Sequence, residues 1–207
     1  MSLGRRRVAG LILAGGASQR MGRAKALLEF EGRPFVGIGV ELLRQAGCAW
    51  VLVVDGAHPL DPHAGAIAGA ELVHNHRWQL GPLSSLQCGL ARALELEPLL
   101  DAVLVHHVER PRVRPQTVSA LLASAAAEPD CVWQPSHAGR SGHPLLWPRA
   151  LFQALASLDP RHETARTLIR GAASGQRRKL EVDDEGVLDN IDTPDQLARL
   201  SSPATDL

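Results

Sequence analysis

Three side chains that suit phosphate binding stand close together near the beginning of the chain. They are Ser18, a hydroxyl donor, Arg20, a bidentate fork, and Lys25, a point charge. An apolar run of strand length, Val8–Leu13, precedes them, and small residues at 14–16 let the backbone turn sharply and approach a ligand closely. Because successive backbone N–H groups in such a loop form an anion-binding concavity, the segment predicts a phosphate cradle at the end of a buried strand.

Two common phosphate-binding motifs do not fit this loop. A P-loop requires G-x-x-x-x-G-K-[ST], whereas Gly16 and Gly22 are one residue too far apart and Arg23 follows them. The G-x-G-x-x-G spacing of a dinucleotide fingerprint is also absent from the glycine pair.

The stretch Leu13–Lys25 reads L-A-G-G-x-S-x-R-M-G-x-x-K and resembles the signature loop of the MobA-like nucleotidyltransferases. These enzymes attach GMP or CMP to molybdopterin and are related to the sugar-phosphate nucleotidyltransferases.

The resemblance extends from Leu11 to about Leu200. Residues 76–86 are similar to the segment that reads the base, residues 142–144 (G-H-P) match a motif on the acceptor side, and residues 190–194 (N-I-D-T-P) match a late metal-side motif. The family resemblance implies that an acceptor phosphate oxygen attacks the α-phosphorus of a nucleoside triphosphate, with Mg²⁺ as cofactor. It assigns nucleotide binding to Leu13, Ala14, Gly15, Gly16, Ser18, Arg20, Lys25, Gly81, Pro82 and Ser84, catalysis to Arg20 and Lys25, metal binding to Glu109 and Asp192, and the acceptor side to His143 and Asn190.

The chain departs from the family pattern at one metal ligand. The family places an Mg²⁺-binding aspartate two residues before the proline that follows the central strand, and here Glu109 stands two residues before Pro111. The extra methylene of glutamate can move the carboxylate by about 1 Å, a displacement that can cost on the order of a hundredfold in rate. Arg110 or Arg112 could also pair with Glu109. Two expectations therefore stay open, a working metal ligand and a weakened or lost metal site.

Base and acceptor preference also stay open. Residues 13–16 and 81–83 are similar to the guanylyltransferases, whereas residues 84–86 (S-S-L) and the lack of an aspartate before Lys25 are similar to the cytidylyltransferases. The expected partners are CTP or GTP, molybdopterin or another phosphorylated small molecule, and a molybdoenzyme or maturation factor. The alternatives are a sugar or polyol phosphate as acceptor, and a homologue that binds nucleotide or cofactor with little catalytic activity.

Composition limits the other classes of function. The 207 residues carry 22 Lys+Arg against 22 Asp+Glu, so charge gives no support for nucleic acid or a membrane surface as partner. No apolar segment is long enough to span a bilayer and no signal peptide opens the chain. Three cysteines without a C-x-x-C motif fit a reduced cytoplasm. We expect an arm over residues 1–7, a single nucleotidyltransferase domain over 8–200 and a flexible tail over 201–207.

Short apolar runs alternate with helical patterns, which predicts a doubly wound α/β sheet. The family resemblance implies a three-layer α/β/α, Rossmann-like, mostly parallel sheet of the nucleotide-diphospho-sugar transferase type. A hairpin over residues 131–146 is expected within that sheet. The main predicted helices are Phe35–Ala46, Leu83–Leu94 and Pro115 to about Ala127, and the main predicted strands are Trp50–Val54, Ala102–Val108 and Leu180–Val182.

Several polar residues have plain structural explanations. Consecutive strand residues point to opposite faces, so His106 and His107 cannot bind one ion, and we expect one of them in the core. Ser84 or Ser85 is expected to cap the helix that follows. The other polar groups assigned to solvated turns or loops are His74, His76, Asp183, Asp184 and Glu185.

Overall fold

The computed structural model describes residues 6–171 and 174–201 of the chain. Residues 1–5 of the expected arm and 202–207 of the expected tail lie outside the described residues. The strands are β1 (Val8–Leu13), β2 (Glu29–Phe30), β3 (Arg33–Pro34), β4 (Trp50–Asp55), β5 (Glu71–His74), β6 (Ala102–His107), β7 (Val132–His137), β8 (Arg140–Ser141), β9 (Leu145–Pro148) and β10 (Arg177–Glu181). The α-helices are α1 (Phe35–Ala46), α2 (Pro82–Leu96), α3 (Pro115–Ala127), α4 (Phe152–Ser157), α5 (Ala165–Arg170) and α6 (Pro194–Ser201).

The main sheet has the order β10-β7-β9-β6-β1-β4-β5, and β8 pairs with β7 at its side. Strand β1 lies at the centre and pairs in parallel with both β4 and β6. Strand β9 runs antiparallel between β6 and β7, and β8 pairs antiparallel with β7, so the expected hairpin inside a mostly parallel sheet is confirmed. The carboxyl ends of β1, β4 and β6 meet at one edge, which is where ligands bind in open parallel sheets.

Helices cover both faces of this sheet, which confirms the three-layer α/β/α architecture. Alternate residues of β1 face opposite layers, as strand geometry requires. Val8 and Ile12 pack in the core that includes α1 and α3, whereas Leu11 and Leu13 pack in the core that includes α2, α4 and α5. Gly10 of β1 faces α1 so closely that a Cβ atom there would lie 2.6 Å from Leu43 Cδ1.

Helix α1 coincides with its prediction, because Gly47 ends it in the left-handed conformation that favours glycine (φ 97°). Helix α3 also begins at the predicted proline, Pro115. Helix α2 begins earlier than predicted, with Gly81 at its N-cap and Pro82 in its first turn, so the expectation that Ser84 or Ser85 caps it is wrong. Within residues 6–171 and 174–201, no helix is both long and apolar enough to cross a membrane.

A prediction that residues 183–185 form a solvated turn is wrong for one of them. Asp184 is 2% exposed, and its carboxylate accepts hydrogen bonds from the backbone N–H groups of Arg114 (2.9 Å) and Gly186 (3.1 Å) and from the Thr117 hydroxyl (2.6 Å). Asp184 therefore joins the start of α3 to the loop before residue 190.

Candidate functional site

The glycine loop leaves the carboxyl end of β1 between the ends of its two neighbours. Ala14 N–H donates to the Val54 carbonyl (2.8 Å), and Val108 N–H donates to the Leu13 carbonyl (3.3 Å). A Cβ atom at Gly15 would lie 3.1 Å from the Asp55 carbonyl oxygen, whereas nothing lies within 4 Å of the same position at Gly16. Gly15 therefore permits close packing onto β4, and Gly16 leaves open space above the loop.

The polar part of the loop closes on itself through Ser18. This residue adopts a positive φ of 51°, an uncommon conformation for a side chain other than glycine. Its hydroxyl accepts from Lys25 N–H (3.2 Å), and its carbonyl accepts from Met21 N–H (2.9 Å). The result is a cavity of about 460 Å³, here called the phosphate-loop cavity. It is lined by Ala17, Ser18, Gln19, Arg20, Lys25 and Asp192.

Asp192 joins the predicted cations to the late motif. Its carboxylate forms ion pairs with the Lys25 ammonium and with Arg20 (3.0 Å), and it accepts a hydrogen bond from Asn190 Nδ2 (2.7 Å). Burial raises the pKa of Asp192, but the hydrogen bond and charge of Lys25, aided by Asn190 and Arg20, outweigh burial and hold the pKa below its usual range. Asp192 is therefore an ionised counter-ion to both cations.

Glu109 lies on the adjoining loop, after β6. Its carbonyl accepts from Ile191 N–H (3.2 Å), so its backbone is bonded to the residue next to Asp192. Its carboxylate Oε1 lies 3.6 Å from His107 Nδ1. Neither neighbouring arginine forms an ion pair with it within the described ranges: Arg112 forms a bidentate pair with Asp189 (2.9 and 2.5 Å), and Arg110 donates to the Val187 carbonyl (2.9 Å). The carboxylate of Glu109 thus remains available to a ligand.

A second, larger cavity of about 770 Å³ adjoins this loop and is here called the acceptor cavity. Of the predicted site residues, it contains Leu13 and Pro82 on the nucleotide side, Glu109, and both acceptor-side residues, His143 and Asn190. Its apolar part is formed by Leu80, Leu83, Leu86, Val105, Leu145, Trp147, Pro160 and Ile169. Ala14, Gly15, Gly16, Gly81 and Ser84 line neither cavity.

The predicted base-reading segment is held together by Asn75. Its side-chain amide donates to the hydroxyls of Ser84 (2.9 Å) and Ser85 (3.0 Å), and its side-chain oxygen accepts from Arg77 N–H (2.9 Å). The Ser84 hydroxyl also donates to the carbonyls of Gly81 and Arg77. The hydroxyl of Ser84 is therefore occupied inside the protein, and its contribution to the segment is to fix the path of the chain around Gly81.

His74 is exposed as predicted, but it ends β5 instead of lying in a loop, and its imidazole is paired with Asp55 and Asp61. His74 Nδ1 lies 2.9 Å from an oxygen of the buried Asp55 carboxylate, and Nε2 lies 3.2 Å from Asp61 Oδ1. The hydrogen bond from Asp55 is the largest cause that raises the pKa of His74. By donor type and spacing, these three side chains could hold a metal ion, since their ligand atoms lie within 4.8 Å of one another. The signal that could have found them is the aspartate that ends β4.

The two histidines that end β6 divide as predicted. His106 is 1% exposed and lies in the core, where burial lowers its pKa to about 3. His107 lies in the acceptor cavity, and its ring meets that of His143 edge to face, with centroids 4.6 Å apart. Burial also lowers the pKa of His107, and lowers that of His143 to about 2. At neutral pH both cavity imidazoles are uncharged.

Sequence reasoning missed a cationic wall of the acceptor cavity. The cavity includes five arginines against two carboxylates, Glu109 and Glu163. Four of the arginines come from α5, the loop before it and β10, and each taken alone looks like a solvated surface residue. The density of arginine between residues 161 and 178 was the available signal. The five are Arg110, Arg161, Arg166, Arg170 and Arg177.

Comparison with known proteins gives one family and several relatives. Residues 10–180 match the model of the MobA-like NTP transferase domain. A nicotine blue oxidoreductase of Paenarthrobacter nicotinovorans is 31% identical over 202 residues, which cover 93% of this chain and 96% of the relative. A molybdenum cofactor guanylyltransferase of Ectopseudomonas mendocina (strain ymp) is 32% identical over 197 residues, which cover 94% and 92% of the two chains.

Among solved structures, Rv0371c of Mycobacterium tuberculosis H37Rv superimposes with a TM-score of 0.76 at 26% identity, over 96% of this chain and 99% of the other. A structure of Rv0371c in complex with manganese gives a TM-score of 0.73 at 25% identity, over 94% of this chain and 98% of that one.

Proposed function

Since the chain belongs to the MobA-like NTP transferase family and is therefore a nucleotidyltransferase, we propose that it transfers CMP or GMP from the nucleoside triphosphate to a phosphorylated acceptor, with molybdopterin as the first choice. The observation that carries this proposal is the convergence of Arg20, Lys25 and Asp192 on the phosphate-loop cavity, directly beside the acceptor cavity that contains Glu109. The two cavities provide one site for the triphosphate and one for the acceptor.

In this proposal the side chains of Arg20 and Lys25 hold the phosphates, and the backbone of residues 13–16 together with residues 81–84 holds the base. Binding exchanges the Asp192 carboxylate for phosphate oxygens at both cations. An anionic acceptor oxygen forms a bond to the α-phosphorus while the bond from that phosphorus to the bridging oxygen breaks, and pyrophosphate leaves with the electron pair. A phosphate nucleophile is already ionised, so this step needs no general base. Catalysis then depends on positioning and on charge neutralisation.

Glu109 and Asp192 would hold Mg²⁺, which supplies neutralisation of the triphosphate charge when bound. Both offer carboxylate oxygens, and the hydrogen bond between Glu109 and Ile191 keeps their loops together. Mg²⁺ usually takes one or two protein carboxylates and completes its shell with phosphate oxygens and water, so this donor set fits the ion. The manganese complex of the Mycobacterium relative supports a divalent cation in this fold.

The first test is calorimetric titration with CTP and with GTP, each with Mg²⁺ and with a chelator. One nucleotide is expected to bind, and Mg²⁺ is expected to tighten its binding about tenfold or more, a coupling of about 1.4 kcal/mol. The relatives named guanylyltransferases favour GTP, whereas the Ser84-Ser85-Leu86 segment favours CTP. If neither nucleotide binds, the assignment of the glycine loop is wrong.

The second test is release of pyrophosphate with a panel of acceptors. Pyrophosphate is the product of nucleotidyl transfer, so it separates this activity from the oxidoreductase activity in the name of the Paenarthrobacter relative. Molybdopterin is compared with sugar and polyol phosphates, and the acceptor that supports turnover identifies the substrate.

We place this reaction in the cytoplasm, consistent with the unpaired thiols of Cys48, Cys88 and Cys131. We propose a molybdoenzyme or maturation factor as recipient of the product.

A second candidate is nucleotide or cofactor binding with little turnover. It is favoured by the position of Glu109, whose carboxylate lies beside His107, and by the three donors that already occupy Asp192. On this hypothesis Mg²⁺ leaves nucleotide affinity unchanged, and Glu109→Asp raises pyrophosphate release from near zero. On the first hypothesis Glu109→Asp retains activity and Glu109→Gln loses about ten- to a hundredfold. Glu109→Asp and Glu109→Gln together therefore distinguish a nucleotidyltransferase from a protein that only binds nucleotide.

A further inference from the structure

The arginines of the acceptor cavity differ from the cations of the phosphate-loop cavity in one respect. Arg20 and Lys25 are both neutralised by Asp192. In contrast, none of the five acceptor-cavity arginines forms an ion pair with a carboxylate over residues 6–171 and 174–201. Glu109 offsets part of the charge of Arg110, but the five arginines outnumber the two carboxylates of the cavity. Like charges that converge on a cavity raise the free energy of the empty protein and are relieved when an anion binds.

Within this wall, Arg110 has a hydrogen-bonding atom that awaits a partner. One of its terminal nitrogens donates to the Val187 carbonyl, but its Nε is buried and has no partner. His143 Nδ1 is a second buried atom without a partner in the same cavity. Buried polar atoms almost always have partners in folded proteins, so these two atoms mark a part of the cavity wall whose hydrogen bonding is incomplete.

Arg166 on α5 lines the same cavity. Its positive charge contributes to the lowered pKa values of Arg110, His107 and His143, so it lies within electrostatic range of all three. The guanidinium group of Arg166 has no hydrogen-bond or ion-pair partner among the described residues, and its residue is exposed to the cavity. Arginine binds phosphate in a bidentate manner, and two of them can enclose one dianionic group.

We propose that Arg166 and Arg110 form the seat for the phosphate of the acceptor, and that Arg166 is a residue that determines acceptor specificity. This inference rests on the proposed function for the identity of the cavity. Glu109 lines the same cavity and its carbonyl accepts from Ile191 N–H of the late-motif loop, so an anion held there is placed beside the proposed transfer site. The apolar residues of the cavity outside the proposed base-reading segment 76–86, among them Leu145, Trp147 and Ile169, then contact the body of the acceptor, next to its phosphate.

The test uses phenyl phosphate as probe, because it joins a phosphate to a flat apolar body, with phenol as the uncharged control. Calorimetry on the full chain is expected to show binding of phenyl phosphate and none of phenol. Arg166→Gln is expected to weaken phenyl phosphate binding about ten- to a hundredfold, the loss typical of a charged hydrogen-bonding pair. Arg166→Lys keeps the charge without the bidentate geometry, so its affinity for phenyl phosphate is expected to lie between those of the unchanged protein and Arg166→Gln.

Arg33→Gln is the matched control, since Arg33 is an exposed arginine that lines neither cavity. It is expected to bind phenyl phosphate as the unchanged protein does. CTP and GTP titrations of Arg166→Gln are expected to match the unchanged protein, and an intact circular dichroism spectrum shows that the variant folds. With an acceptor that turns over, Arg166→Gln is expected to raise the acceptor KM about tenfold or more with little change in kcat.

Two results overturn this inference: no binding of phenyl phosphate by the unchanged protein, or equal binding by Arg166→Gln. Failure of the proposed function gives a different pattern, because the nucleotides then do not bind or no acceptor yields pyrophosphate, while the phenyl phosphate titrations still report on the arginine seat.

Discussion

Asp192→Asn tests the role of charge in nucleotide binding. Asp192 is expected to weaken binding when metal is absent and to strengthen it, as a proposed metal ligand, when Mg²⁺ is present. Its carboxylate occupies Lys25 and Arg20, and its negative charge repels a triphosphate bound to those cations. Without metal, the variant frees both cations and removes the repulsion. Two unit charges about 4 Å apart interact by about 1 kcal/mol in water and about 4 kcal/mol near a protein surface. The phosphate-loop cavity is open, so the lower end applies, and triphosphate binding in chelator is expected to tighten about fivefold.

With Mg²⁺ present, the same substitution removes a proposed metal ligand. The tenfold or greater tightening that Mg²⁺ is expected to give the unchanged protein should then fall to about onefold. The assay is titration of the preferred nucleotide into both proteins with Mg²⁺ and with chelator, which gives the metal coupling of each. Asp195→Asn is the matched control, since Asp195 is an exposed carboxylate only three residues further along, in the first turn of α6. Its affinities with Mg²⁺ and with chelator should both equal those of the unchanged protein.

The substitution also has a cost in stability. Asp192 accepts three hydrogen bonds, and the pair with Arg20 contributes little because the Arg20 side chain is 71% exposed. The pair with Lys25 is better shielded, and an asparagine oxygen keeps part of it, so the free energy of unfolding should fall by about 1–2 kcal/mol. The reasoning is refuted if Asp192→Asn weakens nucleotide binding in chelator, or if Mg²⁺ tightens binding to the variant as much as before.

Three further outcomes follow from the packing and protonation of particular residues. Gly15→Ala should lower the free energy of unfolding by about 1–3 kcal/mol, because its Cβ would meet the Asp55 carbonyl at 3.1 Å; urea unfolding measures this, and Gly16→Ala, with open space at its Cβ, should change stability far less. The Asp55 hydrogen bond raises the pKa of His74 above 6.5, so the stability it gives is complete below pH 6.5 and is lost as pH rises through the folded pKa. The difference in unfolding free energy between the unchanged protein and His74→Gln should therefore shrink from pH 6 to pH 8, and a difference that grows would contradict the assignment. Burial lowers the pKa of His106 from 6.5 to about 3, so the unfolded chain binds more protons between these values and stability falls as pH falls; His106→Leu should reduce that slope by about 1.4 kcal/mol per pH unit, measured by urea unfolding from pH 6.5 to pH 4.5.

The elements that the sequence predicted well have strong local signals. Phe35–Ala46 has helical spacing and a glycine stop, and the residues of β6 form a nearly continuous apolar run in the middle of the sheet. Strand β10 begins three residues before its predicted start. The prediction missed its first residues, Arg177, Arg178 and Lys179, because they are charged and do not continue an apolar pattern. An edge strand needs no apolar residues at every position, and charged side chains there also prevent pairing with another chain. Periodicity therefore could not show where this strand begins.

The same distinction applies to the candidate site. The glycine loop and the late motif could be predicted from the sequence because each is a continuous segment, and the structure brings Ser18, Lys25 and Asp192 to one cavity. The seat of Arg110 and Arg166 could not be read, since its residues are 56 positions apart. Only the antiparallel insertion of β9 beside β6, followed by α4 and α5, folds Arg166 back over the end of β6. The information lies in the topology, and no local pattern carries it.

In the proposed function, the distribution of charge between the two cavities explains how the protein distinguishes the nucleoside triphosphate from the acceptor, although both carry phosphate. In the phosphate-loop cavity each cation already has a carboxylate partner, so a ligand must replace Asp192 at both of them, which favours a triphosphate with several oxygens and an accompanying cation. In the acceptor cavity Arg166 and Arg110 lack a carboxylate partner, so a single phosphate group suffices to neutralise them. A monophosphate therefore gains more in the acceptor cavity, and a metal-bound triphosphate gains more in the loop. Neutral imidazoles at His107 and His143 add hydrogen-bonding groups without adding charge, so the arginines, partly offset by Glu109 and Glu163, set this balance. Replacing Arg166 should therefore change the preference for the acceptor while leaving the nucleotide in place.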